Sequence, residues 1–282
     1  MKYAYILVEG PHDVEFVGRF LKQVQCVRVQ FKSELDSFWH SILPTTFPFN
    51  SERGQEDLLK RAPIPVFFQS EHYSIAVHSA EGIASIVQTL QETLFEIELE
   101  TLAAIAFVLD ADQQNPLAQY QKLYHELNRT LPNLQMPSHP GQIHSESGHN
   151  SGENSRNYPY IGAYVLPDNY HQGTLEKVLL NCGQQVYSDL HAKSSDFVKD
   201  VVQSLKNSTL ISTEKREIKK PAGQEKAVMG VISSILKPGR AVQVSIQDNR
   251  WISSETLNIP ELSQFRDFLS RLLDLPIPTG TE

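Results

Sequence analysis

The sequence predicts an α/β protein, with a mainly parallel sheet flanked by helices and a mostly helical C-terminal portion. Three observations carry this. Residues 3–8 (YAYILV), 102–109 (LAAIAFVL) and 160–166 (YIGAYVL) are short, continuously apolar runs of the kind buried on both faces of a parallel sheet. Each is followed by a turn and then by a segment that reads as helix. The chain has 282 residues, 40% of them hydrophobic and 21% charged, which suffices for a sizeable core.

Taken in order, residues 3–8 form the first strand and Gly10-Pro11 breaks it. Val14, Phe16, Val17, Phe20 and Leu21 then recur at helical spacing within residues 12–22. Residues 33–70 mix Pro, Phe and polar residues without a period, and read as an excursion from the sheet that includes a helix-like QEDLLKR. Residues 74–78 (SIAVH) are the second strand. Ser79 is placed to cap a helix over 81–94, with Ile83, Ile86, Val87, Leu90 and Leu94 on one side. The strand at 102–109 is followed by a helix over 116–131, Pro116 suiting its first turn.

Residues 134–158 are rich in Ser, Gly, His and Asn, the composition of a loop. His139, His144 and His149 lie there without zinc-ligand spacing, and a polar loop explains them better than a metal. The strand at 160–166 ends in Pro167-Asp168-Asn169, and Gly173-Thr-Leu-Glu176 opens a helix through about residue 181. Helices are expected over 196–205, 222–236 and 259–273, with a β-like AVQVSI (241–246) between the last two. The division is therefore residues 1–190, with insertions at 33–70 and 134–158, and a helical portion over 191–282 packed on the same core. No internal repeat is visible.

The acids have a positional pattern. Glu9 follows the first strand, Asp110 and Asp112 the third, and Asp168 the fourth. Ligands of open parallel sheets bind beyond the carboxyl ends of the strands, where strand order reverses. If the first and third strands are neighbours, Glu9, Asp110 and Asp112 converge, with Asp13 a turn further along the first helix and Glu176 facing them. Two like charges 4 Å apart repel by about 4 kcal/mol at an effective dielectric of 20, so such a cluster calls for protons or a cation. Oxygen ligands at a partly hydrated site suit Mg²⁺ or Mn²⁺. The bland alternative is that these acids cap helix N-termini, where carboxylates gain ~0.3–1 kcal/mol. Asp168 reads equally well as a turn former with Asn169.

Ile6-Leu-Val-Glu9-Gly10-Pro-His-Asp13, together with Val108-Leu-Asp110-Ala-Asp112, resembles the TOPRIM domain of topoisomerases, bacterial primases and recombination-repair nucleases. Gly173-Thr-Leu-Glu176 resembles the Gly-x-x-Glu element of the OLD-type nucleases, and the chain is most similar to stand-alone TOPRIM-related prokaryotic proteins. The resemblance spans residues 1–181, apart from the two insertions, and implies a TOPRIM/Rossmann-like sheet. It further implies that Glu9 is a metal ligand or general base. Asp110 and Asp112 would hold Mg²⁺ or Mn²⁺, Asp13 would complete one metal shell, and Glu176 would serve a second. OLD-type nucleases also use a basic residue. Lys226 is the candidate here, in competition with Lys219 and Lys220, and the bland reading of Lys226 is a solvated helix residue.

The expected function is divalent-metal-dependent phosphodiester chemistry of nuclease type on DNA or RNA. The rivals are a non-catalytic TOPRIM-like module that binds nucleic acid or a protein partner, and an enzyme acting on small nucleotides. No GxxxxGK[ST] occurs, so ATP-driven chemistry is not expected. No topoisomerase tyrosine or primase zinc module stands out, and the acids are spaced the wrong way round for a phosphoacceptor receiver. The formal net charge is −8, which argues against a generic nucleic-acid coat, yet residues 214–240 carry seven Lys/Arg against three Glu. That strip reads equally as phosphate-binding or as a solvated face. Cys26 and Cys182 lie outside any CxxC and are expected to be reduced, buried thiols. With no apolar run of membrane-spanning length and no secretory leader pattern, a cytoplasmic protein without membrane association is expected.

Overall fold

The computed structural model describes residues 1–44, 49–50, 55–56, 64–80, 82–144, 158–205, 208–220 and 222–277. Its strands are β1 (Lys2–Val8), β2 (Val27–Arg28), β3 (Phe49–Asn50), β4 (Gln55–Glu56), β5 (Val66–Gln69), β6 (Tyr73–Ser79), β7 (Ala104–Asp110), β8 (Ile143–His144) and β9 (Tyr160–Leu166). Among the described residues, all but β3 and β4 form one seven-stranded sheet in the order β2-β5-β6-β1-β7-β9-β8. β6, β1, β7 and β9 run parallel, while β5 and β8 pair antiparallel at the flanks and β2 pairs antiparallel with β5. The expected α/β class with a mainly parallel centre is what the chain adopts.

Period-two alternation along the central strands builds two apolar layers. Ala4, Ile6 and Val8 of β1 face one layer, and Tyr5 and Leu7 face the other; all five are at most 1% exposed. The first layer is covered by α1 (Pro11–Gln23) and by α4 (Leu175–Val186), α5 (Ser188–Ser204), α7 (Gly223–Leu236), α8 (Val242–Asp248) and α9 (Pro260–Leu273). The second is covered by α2 (Gly82–Glu96), α3 (Pro116–Thr130) and a 3₁₀ turn that buries Trp39. Each fully buried Leu, Ile or Phe contributes about 1.5–3 kcal/mol. The C-terminal helices complete the first layer: Phe265 of α9 packs 4.7 Å from Phe16 and 5.1 Å from Tyr164, centroid to centroid.

The path of the chain locates the switch in winding. From β1 the chain crosses by α1 to β6 on one side, then returns by α2 past β1 to β7 on the other. The helices of the two crossovers lie on opposite faces, so the crevice opens at the carboxyl ends of β1 and β7.

Several expectations are corrected. The segment 33–70 is not wholly an excursion, because Val66–Gln69 is a sheet strand; four residues flanked by Pro65 and Ser70 are too short to display a period. Within QEDLLKR, Gln55 and Glu56 are strand, and the rest lies outside the described residues. AVQVSI is not β-like. Residues 242–248 are the helix α8, packed on α1 and tied there by tertiary bonds. The Arg19 guanidinium donates to Gln247 O (2.8 Å) and Ile252 O (3.1 Å from Nε), and Trp251 Nε1 donates to Ser245 Oγ (2.9 Å). Ser79 ends β6 rather than capping α2, which starts at Gly82 with φ +77. In the loop at 134–158, His144 lies in β8, whereas His149 is outside the described residues. A further short helix, α6 (Glu214–Ile218), precedes α7. Cys26 and Cys182 are buried and unpaired in disulfides. Among the described residues, no helix is long and apolar enough to cross a membrane.

Candidate active site at the β1–β7 switch

Glu9 follows the last residue of β1, and Asp110 is the last residue of β7; Val8 sits opposite Val108 in the parallel register. Adjacent strands lie about 4.8 Å apart, which brings the two acids together. The Asp110 N–H donates to Glu9 Oε1 at 3.1 Å. Two helix starts add further acids. Asp13, third residue of α1, accepts from the Gly10 N–H through Oδ2 (2.9 Å), and Glu176 is the second residue of α4. Asp110 Oδ1 in turn accepts from Leu175 N (2.9 Å), joining the end of β7 to the start of α4. Glu9, Asp13 and Asp110 therefore each hold a backbone N–H, as capping acids do.

These four carboxylates line one cavity of about 490 Å³ with His12 and Lys226. Asp13 and Glu176 are 7% and 5% exposed, so the charges are poorly solvated. Burial pushes Asp13 up to about 7, helped by the charges of Glu9 and Glu176. Asp110 is held well above its ordinary value by burial and then by Asp13, Glu9 and Glu176. Burial also raises Glu9, with Asp112 adding to the rise against the hydrogen bond from Asp110. Glu176 goes the other way. Burial works against its charged form, yet His12 and Lys226 beside it bring the carboxyl below its ordinary value. His12 Nδ1 and Lys226 Nζ lie 3.6 and 3.9 Å from Glu176 Oε1, while Oε2 is buried with no hydrogen-bond partner.

The cluster can thus take up protons near neutral pH or accept a cation in their place. Its donors are hard oxygens, which fit Mg²⁺ or Mn²⁺. With the side chains as they stand, no group of three or more His, Cys, Asp or Glu among the described residues is spaced to hold a metal ion. Asp13 Oδ1 and Asp110 Oδ2 are not the oxygens engaged by the Gly10 and Leu175 N–H groups, so coordination would need the carboxylates to draw closer rather than to give up those bonds.

Of the sequence-predicted ligands, Glu9, Asp13, Asp110 and Glu176 line this cavity and Asp112 does not, although its charge reaches Glu9. Asp112 is exposed at φ +52, its N–H donates to Gly173 O (2.9 Å), and it lines a neighbouring cleft. Lys226 is at the carboxylates, whereas Lys220 is engaged by Glu217 at 2.6 Å. Asp168 serves a turn: Oδ1 accepts from Tyr170 N and His171 N, and Oδ2 meets His171 Nδ1 at 2.7 Å. Four of the seven cations of the basic strip are paired, Arg216 and Lys220 with the same Glu217, Lys226 with Glu176 and Lys237 with Asp248. Among the described residues, the His139 ring meets its neighbour Ser138 at 3.0 Å. Sequence reasoning passed over His12, although its place beside Asp13 in Gly-Pro-His-Asp was the available signal.

Fold and site together define a doubly wound α/β protein with an acidic cavity, edged by one lysine, at the switch in strand order. The chain belongs to the family described as protein of unknown function (DUF3226), whose model matches residues 3–274. Among solved structures it is similar to that of hypothetical protein PH0156 from Pyrococcus horikoshii OT3, at 15% sequence identity and a TM-score of 0.46, over 97% of each chain. No curated protein matches it.

Proposed function

We propose that the protein is a TOPRIM-like, divalent-metal-dependent phosphodiesterase, acting as a nuclease on nucleic acid in the cytoplasm. The observation that carries this reading is the meeting of Glu9, Asp13, Asp110 and Glu176, from two strand ends and two helix starts, in one cavity beside Lys226. The TOPRIM resemblance of the same residues supports it. Glu9, Asp13, Asp110 and Glu176 would hold Mg²⁺ or Mn²⁺. The chemistry supplied by the bound ion is activation of water and neutralisation of phosphate charge.

The chain's own groups divide the remaining work. Glu9, its proton affinity raised by burial, is the candidate general base of the cavity. Lys226, 60% exposed at its side chain, reaches the cavity from its rim and can meet a phosphate oxygen there. Glu176 keeps Lys226 and His12 turned toward the carboxylates.

The test is cleavage of end-labelled single- and double-stranded DNA and RNA by the full chain with Mn²⁺ or Mg²⁺. Products that vanish with a chelator support the reading. One observation favours a second reading, a binding module without chemistry: three of the four acids cap backbone N–H groups, and no three are spaced for a metal. Retention of these polymers without cleavage under either ion would decide for the module.

A further inference from the structure

A second concavity adjoins the carboxylate cavity. It measures about 940 Å³, within the range of small-molecule sites, and lies between the 112–114 and 172–174 turns and the α6–α7 junction. Lys226 lines both spaces. The walls pass from one to the other within three residues of chain: Asp110 faces the cavity and Asp112 the cleft, and Thr174 faces the cleft while Leu175 and Glu176 face the cavity.

The lining of the cleft differs in chemistry from the cavity. Gln113, Gln114 and Gln172 present neutral amides, and Ile218, Ala222 and Ala227 supply apolar surface. Its three lysines, Lys177, Lys220 and Lys226, face four acids, Asp112, Glu214, Glu217 and Glu225. Lys220 is paired with Glu217, Lys226 with Glu176, and Lys177 Nζ donates to Gln172 O at 3.3 Å. A track for successive phosphates needs cations to offset each charge, and this lining has a net formal charge of −1. What it can accept is a neutral group with several hydrogen-bonding edges, which amides read by donating and accepting together.

We propose that this cleft holds a single nucleoside, base and sugar, attached to the phosphate presented to the carboxylate cavity. The site is then built for one nucleotide, either free or at the end of a strand, and not for the interior of a polymer. This inference rests on the phosphodiester reading above and deepens it.

The experiment measures binding to the full chain in Mn²⁺ by calorimetry, with inorganic phosphate and adenosine 5′-monophosphate as probes. The mononucleotide is expected to bind at least tenfold more tightly than phosphate. Gln113→Ala with Gln172→Ala, both exposed, should weaken it by about 5- to 150-fold, two neutral hydrogen bonds being lost. Equal affinities for the two probes, or a preference untouched by the double substitution, overturn the nucleoside cleft and leave the phosphodiester reading standing. Failure of both probes to bind overturns the cleft and the reading beneath it. A linear 5′-phosphorylated oligonucleotide that displaces the mononucleotide identifies a strand end as the source, and one that does not identifies the free nucleotide. A circular single strand that competes equally well overturns the inference.

Discussion

The Asp110 N–H donates to Glu9 Oε1 at 3.1 Å, across 101 positions of sequence. That bond exists because β1 and β7 are parallel neighbours, with β7 running two residues past the level of Val8. It fixes the carboxylate of one strand end against the backbone of the other, and so sets the mouth of the acidic cavity.

Asp110→Asn should separate chemistry from folding. The amide oxygen retains an acceptor for Leu175 N, and a buried charge is removed, so the melting temperature at pH 7 should hold or rise. Metal-dependent cleavage should fall by a factor on the order of 10² or more, as expected when a ligand of the ion that offsets phosphate charge is lost. Undiminished cleavage would remove Asp110 from the site.

The raised Asp13 makes a signed prediction about pH. Its folded value of about 7 exceeds the ordinary carboxylate value, so the native state binds more protons than the unfolded state between roughly pH 4 and 7. Stability is full below that window and declines as pH rises through it, by an amount on the order of a few kcal/mol. Asp13→Asn should flatten this decline, and millimolar Mn²⁺ should restore stability at pH 7.5. Chemical denaturation at pH 5, 6, 7 and 8 measures all three, and a midpoint that climbs with pH would contradict the burial of this acid.

Lys226 tests which cation serves the cavity. Its link to Glu176 is long and partly exposed, so Lys226→Gln should change stability by no more than about 1 kcal/mol. Cleavage should drop about 10- to 100-fold if the ammonium meets phosphate. Lys219→Gln, on the competing residue, should leave turnover at the wild-type rate. An equal loss in both variants would point to general charge rather than position.

Gly223 holds the start of α7 close to α6. A Cβ there would lie 2.3 Å from Glu217 O and 2.8 Å from Ile218 C, both backbone atoms that cannot swing aside. Gly223→Ala should cost about 1–3 kcal/mol, the range for forced overpacking. Because Lys226 is three residues on, the shift should reach the cavity rim. A thermal melt paired with the cleavage assay reads both effects, and a variant as stable as the wild type would mean that the junction yields freely.

Much of this architecture is readable from local pattern. The apolar runs of β1, β7 and β9 and the helical spacing of α1, α3 and α9 are long enough for their periods to emerge. Glu9 and Asp110 stand out at the ends of apolar strands, and Asp13 and Glu176 at the starts of the helices that follow. Shorter elements are not readable this way. β5 has four residues and α8 seven, and the alternation Val242, Val244, Ile246 suits a strand as well as it suits the helix imposed by Arg19 and Trp251.

What the sequence determined by itself is the succession of strands and helices and the placing of acids at their junctions, since both follow from periodicity and from the residue at each break. Only the tertiary structure decided which acids share a cavity, leaving Asp112 outside and bringing His12 in. It also decided their proton affinities, raising Asp13 and Asp110 while lowering Glu176. The reason is that burial and charge–charge distance depend on strand order and helix packing, which no local stretch of the chain specifies.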